Sequence, residues 1–156
     1  MSLKSHSYLT TTDYHSTFFE IDLLNDLSAQ AVITKMKKNF ARLRIPEEVV
    51  TDSGQQYASE LFKDFATTWD FVHTTFSPGN HRANGAAEAA VKTAKRLFKK
   101  CKAVNDSPYL GLLNSRNTPT EGSDTSPSQK LFGRKTRTAL PVSNQTLMIS
   151  LALKSK

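Results

Sequence analysis

A single cysteine, Cys101, leaves the chain no internal disulfide and too few thiolates for most zinc ribbons. A reducing, intracellular setting is the ordinary expectation for such usage. No apolar run approaches the roughly 20 residues a membrane helix needs, and Met1 to Thr12 lacks the apolar centre of a signal peptide. No membrane partner is expected. Acidic residues are the minority, 14 against 21 Lys and Arg, for a net charge of +7. The 156 residues, 38% hydrophobic and 22% charged, suffice for one ordinary domain with a core of its own.

The positive charge is concentrated. Lys92 to Arg137 holds eleven Lys and Arg against Asp106, Glu121 and Asp124, while the rest of the chain nets minus one. A surplus gathered this way fits a surface that meets polyanions, or equally a solvated basic helix.

No internal repeat interrupts the chain. Tyr8 to Asp13 and Thr17 to Leu23 are rich in Thr, Tyr, Phe and Ile and read as a hairpin. Ser28 caps a helix to about Leu43, with Ala29, Val32, Ile33, Met36 and Phe40 at helical spacing and Pro46 barring continuation. Glu48 to Thr51 is a short strand, closed by a turn at Asp52-Ser-Gly-Gln. Ser59 caps a helix from Glu60 to Trp69 that turns Leu61, Phe62, Phe65 and Trp69 inward. Phe71 to Thr75 is a strand, Ser77-Pro-Gly-Asn a loop, and Ala83 or Asn84 opens the longest helix, to about Lys102. Helical segments follow at Pro108 to Leu113 and Ser128 to Phe132, with a loop over Asn117 to Pro127. The order is that of a mixed α/β domain.

Two carboxylates stand where ligand chemistry is commonly found. Asp52 follows the apolar strand Val49-Val50-Thr51 and so projects from a strand's C-terminal edge. Thirty-five residues separate it from Glu88, which lies in the first turn or two of the long helix. On its own it could serve only to balance the helix dipole.

Three segments in one order change that reading: Val50-Thr-Asp-Ser-Gly-Gln-Gln-Tyr57, Thr75-Phe-Ser-Pro-Gly-Asn80 and Asn84-Gly-Ala-Ala-Glu88. Together they resemble the catalytic core of retroviral and retrotransposon integrases, the D-D-E recombinases with a ribonuclease-H-like fold. Leu112-Leu-Asn-Ser-Arg-Asn-Thr-Pro119, Thr125-Ser-Pro-Ser128 and Leu131-Phe-Gly-Arg134 look like the segment after the core in Gypsy-type LTR retrotransposons. The resemblance runs over about residues 7 to 141. It implies a core over 1-103, a helical and loop segment over 104-141 and a divergent tail over 142-156. It further implies DNA integration by metal-dependent phosphoryl transfer, with 3′-end processing and then strand transfer. The cofactor would be Mg²⁺ or Mn²⁺, two ions in the intact site, held by Asp52 and Glu88; hard ions suit oxygen ligands. Element ends and target DNA would be the partners, a homo-oligomer the assembly and the nucleus the place of action.

The third ligand is open. Asp13 completes an Asp, Asp, Glu order, yet Tyr8-Leu-Thr-Thr-Thr-Asp-Tyr-His-Ser16 resembles the family's second strand, where an Asp occurs without a catalytic role. The resemblance puts the first catalytic Asp on a preceding strand that lies between this one and the strand ending in Asp52. With strands about 4.8 Å apart, Asp13 would start roughly 10 Å away. The expectation is a ribonuclease-H-like mixed sheet lacking its first strand, and no strand transfer by the chain alone. Leu147, Ile149, Leu151 and Leu153 alternate as a half-buried strand would, and could either join the depleted sheet or form a short terminal helix.

Glu88, Lys92, Lys95 and Lys99 fall on one helix face, with Ala87, Val91, Ala94, Phe98 and Cys101 opposite. Such lysines suit DNA phosphates, and the resemblance implies DNA-contacting lysines at similar offsets; Arg82 and Asn84 are further candidate DNA contacts. His81 and Arg82 stand where Pro and Gln are frequent in Gypsy sequences. The scattered histidines and one cysteine cannot build the family's His-His-Cys-Cys zinc module. Two other readings remain: a non-catalytic nucleic-acid-binding or dimerisation remnant, and a ribonuclease H.

Overall fold

The computed structural model describes residues 6–76, 81–134 and 136. They divide into two compact units. The first takes the chain up to Thr11 and then Glu20–Glu88; the second takes Thr12–Phe19 and the chain from Ala89 onward.

In the first unit β1 (Ser7–Thr12) pairs with β2 (Phe19–Leu24). A connection this short joins antiparallel strands, since a parallel crossover needs a dozen residues or more. Helix α1 (Ala29–Leu43) starts where expected: the Ser28 side chain accepts from the Ala31 N–H at 3.2 Å, and Ser28 N–H donates to Asp26 at 2.8 Å. β3 (Glu48–Thr51) leads to α2 (Gln55–Ala58), a single turn that sequence reasoning missed, and α3 (Glu60–Trp69), capped by Ser59. Asp70, in the left-handed region at φ 56°, closes α3 by donating its N–H to Ala66 and Thr67. β4 (Val72–Thr75) then runs parallel to β3, in the register Glu48 to Val72 through Thr51 to Thr75.

The described strands thus make two separate pairs, β1–β2 and β3–β4. No described strand bonds β1 to β3, which is the arrangement expected of a ribonuclease-H-like sheet without its first strand. The Leu147–Leu153 alternation and the Ser77-Pro-Gly-Asn loop lie outside the described residues.

Both pairs lean on one core, built by Leu24, α1 (Val32, Ile33, Met36, Phe40), α3 (Phe62, Phe65) and Phe71. The aromatic rings meet mostly edge to face: Phe65 to Phe71 at 5.0 Å and Phe40 to Phe71 at 5.8 Å between centroids. Phe62 has no exposed surface, and truncating so enclosed a ring to alanine costs about 3–5 kcal/mol. Leu61 corrects the expected inner face, because it is 45% exposed on the flank of α3. Adjacent positions on a helix diverge by about 100°, so Phe62 takes the core and Leu61 does not. Beside the core, buried Asp22 on β2 accepts from the Asn39 amide at 2.8 Å, and Arg42 bonds Asn39 at 3.0 Å and Glu20 at 2.9 Å. This network fixes α1 across β2.

In the second unit the 12–19 turn is tied by Arg116, whose guanidinium donates to the Phe19 carbonyl and lies 4.4 Å from the Phe18 ring centroid. Phe132 meets the same ring edge-on at 5.6 Å. Helix α4 (His81–Ala103) begins in the first unit and continues into the second, two to three residues ahead of the expected start. Among its described side chains Ala90 and Ala94 are buried; Val91, expected on the inner side, is 37% exposed. Buried Ala94 and half-buried Ala87, Phe98 and Cys101 keep the expected side, and Val91 departs from it. α5 (Pro108–Arg116) and α6 (Pro127–Phe132) follow, α6 with a reciprocal capping box between Ser126 and Gln129.

Candidate metal and nucleic-acid site

β3 and β4 run in the same direction, so both end at one edge. The Phe76 N–H donates to the Thr51 carbonyl at 2.8 Å and holds the strand ends together there. Asp52 is the first residue past β3 and is exposed, while Thr51 before it is buried. The Asp52 Oδ1 accepts the Gly54 N–H at 2.8 Å, an Asx turn that fixes the carboxylate and leaves Oδ2 without a bond among the described residues. Gly54 stands at φ −58°, ordinary for any residue, so backbone conformation does not demand the glycine, and a side chain there would meet only the movable ends of its neighbours. A Cβ there would lie 2.9 Å from Asp52 Oδ1 and 2.9 Å from Gln56 Oε1.

The floor beneath Asp52 is made by Thr51, Tyr57, Phe62 and His73. Thr51 Oγ1 donates to the Asp52 carbonyl at 2.8 Å and lies 2.8 Å from His73 Nε2. The His73 ring is edge-on to Phe62 at 4.7 Å and tilted over Tyr57 at 6.4 Å. Burial lowers the His73 pKa. Burial first, and the Asp52 charge second, raise that of Tyr57. None of these four was singled out from sequence as part of the site. The available signal was period two: Val49 and Thr51 on β3 and His73 and Thr75 on β4 alternate as paired strand faces do.

Glu88 is exposed and is the eighth residue of α4, not a member of its first turn. The helix-dipole account of this carboxylate therefore fails, since that effect fades within the first turn. Lys92, Lys95 and Lys99 are all exposed. Neither Glu88 nor any of these lysines is held in an ion pair among the described residues. Arg82 and Asn84 lie in the opening turn of α4.

Asp13 sits in the turn after β1. Its Oδ2 accepts the Ser16 N–H at 3.0 Å and the Ser16 hydroxyl, and Ser16 Oγ accepts the Phe18 N–H at 3.1 Å. That carboxylate shapes the turn. Among the described residues no three His, Cys, Asp or Glu side chains gather as a metal-holding group. The donors at Asp52 and Glu88 have the chemistry a hard divalent ion takes, and their number falls short of a full cage. No described helix is long and apolar enough to cross a membrane.

No protein-family model matches the chain. It is 33% identical over 137 residues to an uncharacterised protein of Caenorhabditis elegans, covering 85% of this chain and 11% of that protein. It is 30% identical over 99 residues to the Gag-Pro-Pol polyproteins of Simian retrovirus SRV-1 and of Mason-Pfizer monkey virus, spanning 64% of this chain and 6% of each polyprotein. Among solved structures, the BIV integrase catalytic core matches with TM-score 0.70 at 16% identity, over 83% of this chain and 88% of that one. A chain of the simian T-cell lymphotropic virus intasome gives 0.69 at 18% identity, over 90% and 55%, and the HTLV-2 core with magnesium 0.63 at 16%, over 81% and 93%. Fold and sequence similarity converge on what the Asp52 and Glu88 segments resembled: the chain has the fold of retroviral integrase catalytic cores and is similar in sequence to a short part of retroviral Gag-Pro-Pol polyproteins.

Proposed function

We propose that this chain serves DNA integration, holding DNA along the lysine face of α4 and a divalent ion between Asp52 and Glu88. The observation that carries the reading is the exposed, turn-locked Asp52 at the common end of a parallel strand pair, with one carboxylate oxygen free among the described residues. The magnesium of the HTLV-2 core makes Mg²⁺ or Mn²⁺ the matching ion. Such an ion, when bound, supplies positive charge to a phosphodiester undergoing in-line displacement. The chain's own residues supply the rest. Asp52 and Glu88 offer oxygen ligands, Gly54 keeps the Asp52 carboxylate in place, and Lys92, Lys95 and Lys99 neutralise successive phosphates. Arg82 and Asn84 would meet DNA from the helix's first turn. The HTLV-2 core is a trimeric form, and a homo-oligomer is the corresponding proposal here, read out by light scattering. Action on chromosomal DNA would belong in the nucleus.

Two ligands bind Mg²⁺ weakly, and Asp13 is engaged by Ser16. The chain alone is therefore expected to bind DNA oligonucleotides without joining them. This favours, as the second reading, a nucleic-acid-binding module without turnover. An oligonucleotide joining assay in Mg²⁺ or Mn²⁺ decides between them. Joined products lost in Asp52→Asn establish catalysis, and loss in Asp13→Asn would make Asp13 the third ligand. A chain with no salt-dependent affinity for DNA would remove both readings.

A further inference from the structure

The floor under Asp52 contains one polar chain that the proposed function leaves unused. A hydroxyl has a single proton, and that of Thr51 goes to the Asp52 carbonyl oxygen at 2.8 Å. The contact from Thr51 Oγ1 to His73 Nε2, also 2.8 Å, must then have the imidazole as its donor. His73 N–H, Thr51 O–H and Asp52 C=O form one directed relay across the β3–β4 pair, running from the neighbouring strand to the backbone of the carboxylate residue.

We propose that His73 is a positioning residue, which, as the neutral Nε2–H tautomer, clamps the end of β3 through Thr51 and so fixes where the Asp52 carboxylate stands. It touches neither DNA nor metal on this reading, which rests on Asp52 being a ligand. The surroundings favour the arrangement. Thr51 is 8% exposed, so its hydroxyl has little access to water and depends on these two partners. The edge-on contact with Phe62 and the tilted one with Tyr57 set the ring plane. The lowered pKa of His73 keeps the imidazole uncharged at neutral pH. Histidine tautomers are set by the partner of each ring nitrogen, and partners behind a ligand shift metal affinity about 10–100-fold.

The chemistry makes a specific substitution pattern. Glutamine can place an N–H close to where Nε2 stands, so His73→Gln keeps the donor; His73→Leu removes it. Thr51→Ser keeps the relay and Thr51→Val breaks it. Two measurements on the full chain test the proposal. The first is the long-range ¹⁵N–¹H spectrum of the histidine rings near pH 7.5 without metal: His73 is expected as the Nε2–H tautomer, and an Nδ1–H tautomer overturns the clamp. The second is Mn²⁺ binding by water-proton relaxation. His73→Leu and Thr51→Val should each weaken binding about tenfold, the double variant no further, with His73→Gln and Thr51→Ser near the parent. Parent-like binding in His73→Leu, or independent losses in the double variant, would overturn it. Absence of Mn²⁺ binding in the parent chain would count against the metal reading of Asp52 instead, and the tautomer would still decide the clamp.

Discussion

Gly54 shows how one missing side chain holds a carboxylate. Its N–H is the donor that orients Asp52, and the volume a Cβ would take is already filled by Asp52 Oδ1 and Gln56. Gly54→Ala is expected to push the carboxylate from its place, weakening Mn²⁺ binding severalfold at nearly unchanged DNA affinity; equal Mn²⁺ titrations would contradict it. His73 offers a stability test. Its folded pKa lies below the unfolded value of about 6.5, so folding is favoured by deprotonation and stability falls as pH drops through and below that value. Thermal midpoints between pH 7.5 and 5 should decline more steeply for the parent than for His73→Gln. At this scale the sequence told only part of the story. Asp52 and Glu88 stand out as candidates because their spacing and flanking segments are distinctive. His73 does not, because its partner comes from a strand twenty-two residues away and period-two alternation marks a strand face without marking that pairing.

Elements were more legible than side-chain roles. Ser28, Ser59 and Ser126 each accept an amide proton at a helix start, and capping chemistry is written locally. Helix α2 escaped notice because a single turn, Gln55–Ala58, has no periodicity to read. Val91 was misplaced on α4 for a related reason. With alanine at so many positions, hydrophobic contrast is weak, and Ala90 with Ala94 carry the packing that Val91 was expected to share. The outward lysines do not depend on that packing. Replacing Lys92 and Lys95 with Glu should weaken DNA binding and lower the salt slope by about one unit for each phosphate no longer neutralised. Fluorescence anisotropy across a salt series checks this; an unchanged slope would take the lysines off the DNA path.

At the scale of the whole chain, the order of strands and helices told of a mixed α/β domain and the resemblance of the Asp52 and Glu88 segments supplied the ribonuclease-H-like architecture, while the division of strands into two pairs depends on which neighbours each strand finds. That division has a further consequence. In a pair of parallel strands, successive backbone amides alternate between the partner and the open side. Val72 and Phe76 donate to Glu47 and Thr51, so His73 and Thr75 between them turn their N–H groups away from β3. Hydrogen–deuterium exchange along β4 should therefore read as a two-beat rhythm, slow at Val72 and Phe76 and fast at His73 and Thr75. The same rhythm is a sensor of company: any strand that later lies against the open edge of β4 would silence the fast beats and leave the slow ones as they were.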